Sequence, residues 1–337
     1  MDVIEALRGA LGPASVLTGS DIGTRHQGDW LLKAGPDDTP LALTLPRDTR
    51  EVSAVLRQCH AGGIPVVPQG GLTGLTGGAV PVRGCVILSL ERMRTVEEVD
   101  PTAGTLTAQA GVPLQAVQEA ADAAGMLFPL DIGGRGSCLI GGNLSTNAGG
   151  TAVLRYGMMR DLVLGLEVVL PDGRVLDQLR ALRKDNTGYD LRHLFIGAEG
   201  TLGVITAACL KLFPLPKAHA TGIVAVASVD AAVALLGRLR DALGSGVTTF
   251  ELMPRLAIEL ATRHIAGVQD PFRDAHPWYL LVEVPLPRPD SELALRLQDA
   301  LAGAIEAGIV TDAVLAQSEA QREAMWRLRE RIPEAQT

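Results

Sequence analysis

Aromatic side chains are scarce in this sequence. Trp, Tyr and Phe together make up only 3% of the 337 residues. A core with so few rings has to be built from Leu, Val, Ile and Ala, which is typical of layered packing of helices on sheets. Apolar residues reach 47% of the chain, enough to fill the cores of two or more domains. The composition therefore predicts a globular protein whose strands are rich in valine.

Cysteine is also rare, and its spacing excludes the common cysteine motifs. The four cysteines, Cys59, Cys85, Cys138 and Cys209, form no C-x-x-C pair and lie in apolar stretches. A free thiol in such surroundings behaves as a small apolar side chain. The pattern predicts reduced, buried cysteines and a cytoplasmic protein.

The sequence encodes neither an excess of basic charge nor a long apolar run. Acidic residues outnumber basic ones by 38 to 30, which gives a net charge of −8 and a pI near 5.3. This balance argues against nucleic acid or an anionic membrane as the main partner. The first residues lack the pattern of an export signal, and no apolar run is long enough to cross a bilayer. We therefore expect neither export nor a transmembrane segment.

Histidine spacing predicts no metal site within the chain. Zinc sites commonly use closely spaced histidines on one element. The six histidines contain no H-x-H or H-x-x-x-H pair; they are His26, His60, His193, His219, His264 and His276. Each histidine is expected to lie on the surface or to pack against neighbouring side chains, rather than to bind a metal.

Glycine, in contrast, is abundant and clustered. Residues 68–81 read PQGGLTGLTGGAVP, with five glycines between two apolar runs. Glycines allow positive φ and close approach of a ligand, so that successive N–H groups can converge on a phosphate. The loop lacks the Gly-Lys-Ser/Thr end of a P-loop, and it leads into a strand rather than the helix of a Rossmann fingerprint. A pyrophosphate cradle is predicted, with a glycine-rich surface hairpin as the alternative.

A second glycine cluster spans residues 131–150, DIGGRGSCLIGGNLSTNAGG. Its polar side chains can exchange hydrogen bonds with a nucleotide, and its glycines admit flat or charged groups. These side chains are Ser137, Asn143, Ser145, Thr146 and Asn147. Two such loops predict one long ligand, of the length of a flavin dinucleotide.

Helix and strand signals alternate around these loops. Asp48 and Glu51 are spaced like a capping box before a helix that Gly62 and Gly63 would end. Residues 171–173, Pro-Asp-Gly, have the turn chemistry of a hairpin. Predicted strands lie at 64–67, 85–90, 105–110, 162–170, 174–177, 204–213, 223–227, 248–253 and 279–284. Predicted helices lie at 2–11, from 48, from 113, at 231–243 and at 291–307.

Four ordered segments resemble the FAD-linked 2-hydroxy-acid dehydrogenases of the vanillyl-alcohol oxidase fold. They are the two glycine loops, RYGMMRDLVLGLEVVLPDG and LRKDNTGYDLRHLFIGAEGTLGVIT. The resemblance implies an α+β protein: a PCMH-type FAD-binding domain of two α+β subdomains, followed by a partial α+β substrate cap. We place the N-terminal segment at 1–40, the FAD-binding domain at 41–217 and the partial cap at 218–337.

The resemblance also implies which residues contact FAD. The pyrophosphate would lie on the first loop, the flavin and ribityl chain on the second, and the nucleotide half on a third segment. The implied cofactor residues are Gly70, Gly71, Leu72, Thr73, Gly74, Leu75, Asp131, Ser137, Gly142, Asn143, Thr146, Asn147, Ala148, Gly149, Glu199, Gly200, Gly203, Val204 and Ile205. Neither glycine cluster contains a histidine, so we expect FAD to be bound non-covalently.

Arg329 matches the arginine that the family presents to the substrate carboxylate. A guanidinium can hold a carboxylate in a bidentate pair, which lysine does poorly. The alternative is a solvated helix whose Arg327, Glu330 and Arg331 form ion pairs. The polar run 184–189 also matches the family, without a role for any one side chain.

In the family, hydride passes from C2 of a small 2-hydroxy acid to flavin N5. The implied acid is 2-hydroxyglutarate, lactate or glycolate, and the electron acceptor is not identified. The base and metal ligands match no position here, so no catalytic residue is assigned. A divalent metal such as zinc is expected only with the segment that carries those ligands, and without that segment turnover would be very slow.

Two other functions remain open from the sequence. The chain could bind FAD without turnover, as an assembly subunit, or it could be a carbohydrate or alcohol oxidase of the same fold. Cap strands left with open edges would favour pairing with another chain, and a homodimer is one such outcome.

The glycine loop leads to a first prediction. We expect Gly71→Val or Gly74→Val to abolish FAD binding, because a branched side chain blocks positive φ and close phosphate approach. Arg329→Ala should leave FAD binding intact, because this residue is assigned to the substrate. Flavin absorbance of the purified variants measures both. Normal flavin content in the two glycine variants would show that the loop is only a turn.

Overall fold

A computed structural model describes residues 2–336. The chain forms two compact units. One contains the residues up to Gly149 together with Met158–Phe213, and the other contains Gly150–Gly157 together with the chain from Pro214 onward. No helix of the described residues is both long and apolar enough to cross a membrane.

The first unit contains two main sheets and several helices. Its helices are α1 (Val3–Leu11), α2 (Thr49–Gly62), α3 (Leu114–Ala123), α4 (Ile140–Ser145) and α6 (Arg192–Phe195), while α5 (Val153–Tyr156) belongs to the second unit. Its strands are β1 (Val16–Leu17), β2 (Ala42–Thr44), β3 (Val66–Gln69), β4 (Val86–Ser89), β5 (Val96–Asp100), β6 (Thr105–Gln109), β7 (Met126–Leu127), β8 (Val163–Val169), β9 (Val175–Gln178) and β10 (Val204–Lys211). The short strand β11 (Phe213–Pro214) follows. Short 3₁₀ turns occur at Pro13–Ser15, Gly19–Asp21, Thr24–Gln27 and Met159–Leu162.

The smaller main sheet delivers the chain into the first glycine loop. Its strand order is β1-β2-β4-β3, and both β2 and β3 run parallel to β4. Helix α2 begins as predicted: the Asp48 side chain accepts a hydrogen bond from the Glu51 N–H at 2.9 Å, and Gly63 ends the helix at φ 62°. The parallel crossover from β3 to β4 is the glycine-rich segment itself.

The larger sheet of the first unit is antiparallel, with strand order β5-β6-β10-β8-β9. The hairpin predicted at residues 171–173 joins β8 to β9, and Gly173 adopts φ 84°. Strand β5 was not predicted, because Glu97 and Glu98 interrupt its apolar pattern. Both acidic side chains are exposed, as an outer strand permits.

The second unit is a four-stranded antiparallel sheet with helices on both faces. It contains β12 (Ala218–Val226), β13 (Thr249–Pro254), β14 (Trp278–Leu286), β15 (Val310–Leu315), α7 (Val229–Leu243), a 3₁₀ turn (Gly244–Gly246), α8 (Arg255–His264), α9 (Leu293–Glu306), α10 (Glu319–Glu330) and α11 (Ile332–Ala335). The strand order is β13-β14-β12-β15. Alternate residues of β12 explain the two faces: Val224 and Val226 pack with α7 and α9, whereas Ile223 and Ala225 pack with α8, α10 and α11.

One carboxylate is buried on the α10 face of this sheet. Glu283 of β14 is 5% exposed and accepts hydrogen bonds from Thr221 Oγ1 at 2.7 Å, Arg322 Nε at 2.8 Å and Trp326 Nε1 at 2.8 Å. Burial by itself raises the pKa of this carboxyl, but contacts with His219 and with the three donors outweigh it and lower the pKa to about 2. Glu283 therefore stays ionised in the folded protein.

This network gives a stability prediction. A fall in the pKa of Glu283 from 4.5 to about 2 corresponds to about 3 kcal/mol of folding free energy. Because the folded pKa is depressed, this stability is present above pH 4.5 and is lost as the pH falls toward 2. Glu283→Gln should lower the unfolding free energy at neutral pH by about 3 kcal/mol and remove this acid dependence. Urea unfolding followed by tryptophan fluorescence measures both effects.

Glu319→Gln is the matched control. Glu319 pairs with the same Arg322 at 2.7 Å, but its side chain is 65% exposed. An exposed pair contributes about 0–1 kcal/mol, so this variant should differ little from the wild type. Equal losses in the two variants would contradict a special role for the buried carboxylate.

Candidate active site

A cleft of about 270 Å³ lies within the first unit, where the two glycine loops meet the start of β10. Thirteen of the nineteen predicted cofactor residues line it: Gly70, Gly71, Leu72, Thr73, Gly74, Gly142, Asn143, Thr146, Ala148, Glu199, Gly200, Val204 and Ile205. Segments that are distant in sequence thus form one continuous wall.

The other six predicted residues do not line the cleft. Leu75 is 59% exposed, and Ser137 lines a neighbouring open crevice. Asp131 lies 3.8 Å from Arg135, and the Asn147 side chain accepts a hydrogen bond from the Arg160 N–H. The remaining two are Gly149 and Gly203. These positions support the loops or stand apart from the cleft wall.

The first glycine loop presents unpaired backbone donors. Among residues 2–336, none of the six N–H groups from Gly71 to Thr76 donates to a protein acceptor. The next one, Gly77, donates to the carboxylate of Asp29 at 2.8 Å. Backbone N–H groups normally find partners, and a run without them suits an anion. The loop therefore fits a phosphate group.

Backbone strain is concentrated in the same three segments. Within the described residues, three non-glycine residues have positive φ: Leu72 at 59°, Asn147 at 48° and Glu199 at 50°. Each such conformation costs about 1–3 kcal/mol and persists only where the surroundings enforce it. Each lies in a different segment of the predicted cofactor site.

The structure corrects the reason for glycine at two positions of the first loop. Neither Gly71 nor Gly74 has positive φ; Gly77 does, at 86°. A Cβ on Gly71 would lie 2.0 Å from the Ser137 carbonyl oxygen, so glycine is required there for contact between the two loops. A Cβ on Gly74 would only reach Asp29 at 3.7 Å, an ordinary contact. The expectation of positive φ at these two positions was therefore wrong.

Helix α4 joins the second and third segments. It was not predicted, because it lies inside the glycine cluster. The Gly141 N–H donates to the Ala110 carbonyl oxygen at 2.8 Å, and the Glu199 N–H donates to that of Ser145 at 2.9 Å. Gly142 lines the cleft and has nothing within 4 Å of its Cβ position. The helix thus leaves open space on its cleft side.

Sequence reasoning missed several residues of the cleft wall. Cys138, Gly141 and Gln69 lie in or beside the glycine clusters and could have been included. Asp29 lies about forty residues before the first loop and carried no local signal. Within residues 2–336, no group of three or more His, Cys, Asp or Glu side chains is placed to hold a metal ion.

Arg329 lies in the second unit, on helix α10. Its Nε and Nη2 atoms donate to the same oxygen of Glu251, Oε2, at 2.9 and 2.7 Å. Arg331 pairs instead with Glu334. The two arginines therefore differ: Arg331 forms an exposed helix pair, whereas Arg329 is held against β13 and is 29% exposed.

Comparison with known families and proteins agrees with this arrangement. Residues 40–178 match the FAD binding domain family, and residues 215–337 match the C-terminal domain of FAD linked oxidases. A D-2-hydroxyglutarate dehydrogenase of Xanthomonas citri pv. viticola is 42% identical over 96% of this chain and 67% of its own length. The mitochondrial D-2-hydroxyglutarate dehydrogenase of Bos taurus is 41% identical over 96% of this chain and 58% of its own length.

The fold has a close match among solved structures. The structure of p-cresol methylhydroxylase with substrate bound matches 96% of this chain and 68% of its own, with a TM-score of 0.76 and 17% sequence identity. The α+β fold predicted from the sequence is confirmed. The chain spans 58% to 67% of the length of the two relatives described above. It belongs to the family of FAD-linked oxidoreductases that contains the D-2-hydroxyglutarate dehydrogenases.

Proposed function

We propose that this chain binds FAD non-covalently in the cleft of the first unit and takes part in the oxidation of a small D-2-hydroxy acid to its 2-oxo acid. The observation that carries the proposal is the run of six N–H groups from Gly71 to Thr76 that have no acceptor among residues 2–336. A dinucleotide pyrophosphate supplies the acceptors that these donors lack. The relatives named as D-2-hydroxyglutarate dehydrogenases support 2-hydroxyglutarate as the acid, ahead of lactate or glycolate.

The rest of the cleft suits the other parts of FAD. Asn143 and Thr146 offer polar groups, and Val204 and Ile205 form an apolar wall. Gly142 leaves space for a flat ring or a sugar. Such a mixture of apolar walls and a few polar groups is typical of cofactor pockets.

Non-covalent binding is supported by the chemistry of the wall. Cys138 contributes a thiol to the wall, and burial raises its pKa. A thiol that keeps its proton is a poor nucleophile. The pocket wall contains no histidine among the residues described.

When bound, FAD supplies the hydride acceptor for C2 of the acid, at flavin N5. We assign the substrate carboxylate to Arg329. Glu251 accepts from two donors of Arg329, Nε and Nη2. The third nitrogen of the guanidinium, Arg329 Nη1, has no partner within residues 2–336. A guanidinium held in this way is preorganised for a second carboxylate.

The cellular compartment and the partners of the protein form part of the same proposal. The four cysteines are free and buried, which supports a reducing compartment such as the cytoplasm. Strands β13 and β15 are the outer strands of their sheet within the described residues, and this supports a homodimer formed through a sheet edge. A separate electron acceptor would reoxidise the reduced flavin.

Gly142→Leu tests the cofactor site. A Cβ at this position has no other protein atom within 4 Å and the position lines the cleft, so the protein should fold while FAD binds about 5- to 150-fold more weakly. Gly237→Leu is the control, because Gly237 is also helical, is exposed and has nothing within 4 Å. Quenching of flavin fluorescence gives the dissociation constants. Equal FAD affinity in the two variants would contradict the assignment of the cleft.

Reduction of bound FAD tests the activity. Under anaerobic conditions, D-2-hydroxyglutarate should bleach the flavin absorbance faster than lactate or glycolate. Arg329→Ala should keep its flavin but be reduced more slowly by all three acids, because the carboxylate that they share loses its anchor. Because no base is assigned in this chain, the reduction should be slow, and a loaded protein whose absorbance none of the three acids changes even on long incubation would contradict the dehydrogenase function while leaving FAD binding standing. A nicotinamide dinucleotide should not replace FAD, because residues 2–336 contain no Rossmann strand-glycine-helix unit.

A further inference from the structure

Asp29 links the N-terminal segment to the first glycine loop. Its side chain is almost fully buried, at 2% exposed. Oδ1 accepts hydrogen bonds from the N–H groups of Leu31 and Leu32 at 3.0 and 2.7 Å, and Oδ2 accepts one from Gly77 at 2.8 Å. One carboxylate thus holds both its own turn and the far end of the loop.

A second set of hydrogen bonds ties the same segment to the start of the loop. Gln69 Nε2 donates to the carbonyl oxygens of His26 at 3.0 Å and of Ala79 at 2.8 Å. The His26 ring lies 2.8 Å from Gln69 Oε1, and the Trp30 N–H donates to the Gly74 carbonyl oxygen at 3.1 Å. The loop is therefore held at its start, its middle and its end.

These contacts decide which loop donors stay free. The Asp29 carboxylate accepts from the Gly77 N–H, and the Trp30 N–H donates to the Gly74 carbonyl oxygen. Neither contact involves an N–H group between Gly71 and Thr76. Burial by itself raises the pKa of Asp29, but the N–H groups of Leu32, Gly77 and Leu31, together with Lys33, outweigh it and keep the pKa below its ordinary value. The carboxylate therefore stays ionised, and these N–H groups and Lys33 stabilise its charge, although it lies beside a site for an anion.

We propose that residues 26–33 act as a clamp on the phosphate loop, with Asp29 as the positioning residue that fixes the six free N–H groups toward the pyrophosphate. The proposal rests on the proposed FAD binding. The clamp lies before residue 40, where the match to the FAD binding domain family begins. The family match alone therefore gives no indication of it.

Asp29→Asn tests the clamp by comparing two flavins. Asparagine presents one oxygen and one N–H₂ group where the carboxylate has two accepting oxygens, so at least one of the three N–H groups that Asp29 holds loses its acceptor. FAD should bind about 10- to 100-fold more weakly, whereas riboflavin, which has no phosphate, should bind as in the wild type. Fluorescence titration of the flavin-free protein gives both dissociation constants.

Asp38→Asn is the matched control. Asp38 also accepts a backbone hydrogen bond in the N-terminal segment, from Gly35 at 3.1 Å, but no hydrogen bond joins it to the glycine loop. Its ratio of FAD to riboflavin affinity should equal that of the wild type. If Asp29→Asn does not fold, Gln69→Met removes the ties to His26 and Ala79 and should lower the same ratio.

The outcomes separate the two proposals. A folded Asp29→Asn protein with an unchanged ratio, or with equal losses for both flavins, would overturn the positioning role and leave FAD binding intact. An unchanged ratio in Gln69→Met would do the same. A wild-type protein that binds neither flavin would overturn the proposed function and the clamp with it. A selective loss of FAD affinity in the Asp29 variant, with the Asp38 control unchanged, would support both.

Discussion

The first unit is organised around backbone donors that the protein itself does not satisfy. Six successive N–H groups from Gly71 to Thr76 have no acceptor within the described residues. Ordering a loop that satisfies none of these donors internally costs conformational free energy, so the surrounding contacts must hold the loop in place. The Gly71 backbone is packed against the Ser137 carbonyl oxygen, closely enough that no Cβ fits. Strain at Leu72 and Glu199 is a further part of that cost.

Features set by neighbouring residues could be predicted from the sequence. The Asp48 cap, the Gly63 helix end and the hairpin after β8 each depend on a few adjacent residues, and all three were found. The two glycine clusters were recognised for the same reason. Their composition is itself the local signal, and most of the residues implied by resemblance line one cleft.

Features set by distant contacts could not be predicted in this way. Asp29 is one of many acidic residues, and only its hydrogen bond to Gly77 gives it a role. Likewise, nothing in the first loop indicates that Gly71 is needed for a contact with Ser137 rather than for positive φ. Helix α4 has the same origin, because its first N–H groups donate to Val112 and Ala110 on another segment. Tertiary contacts, rather than local propensity, determine these positions.

Helix α10 carries two arginines that form ion pairs with the sheet of the second unit. Arg322 and Arg329 are seven residues apart, so both lie on one face of the helix and pair with carboxylates of the sheet. Glu283 accepts hydrogen bonds from Thr221 and Trp326 as well as from Arg322, so its buried charge is compensated by three donors. Arg329, in contrast, directs two donors to a single oxygen of Glu251, and within residues 2–336 its Nη1 has no acceptor. The two ion pairs on this helix therefore differ in how completely their donors and acceptors are used.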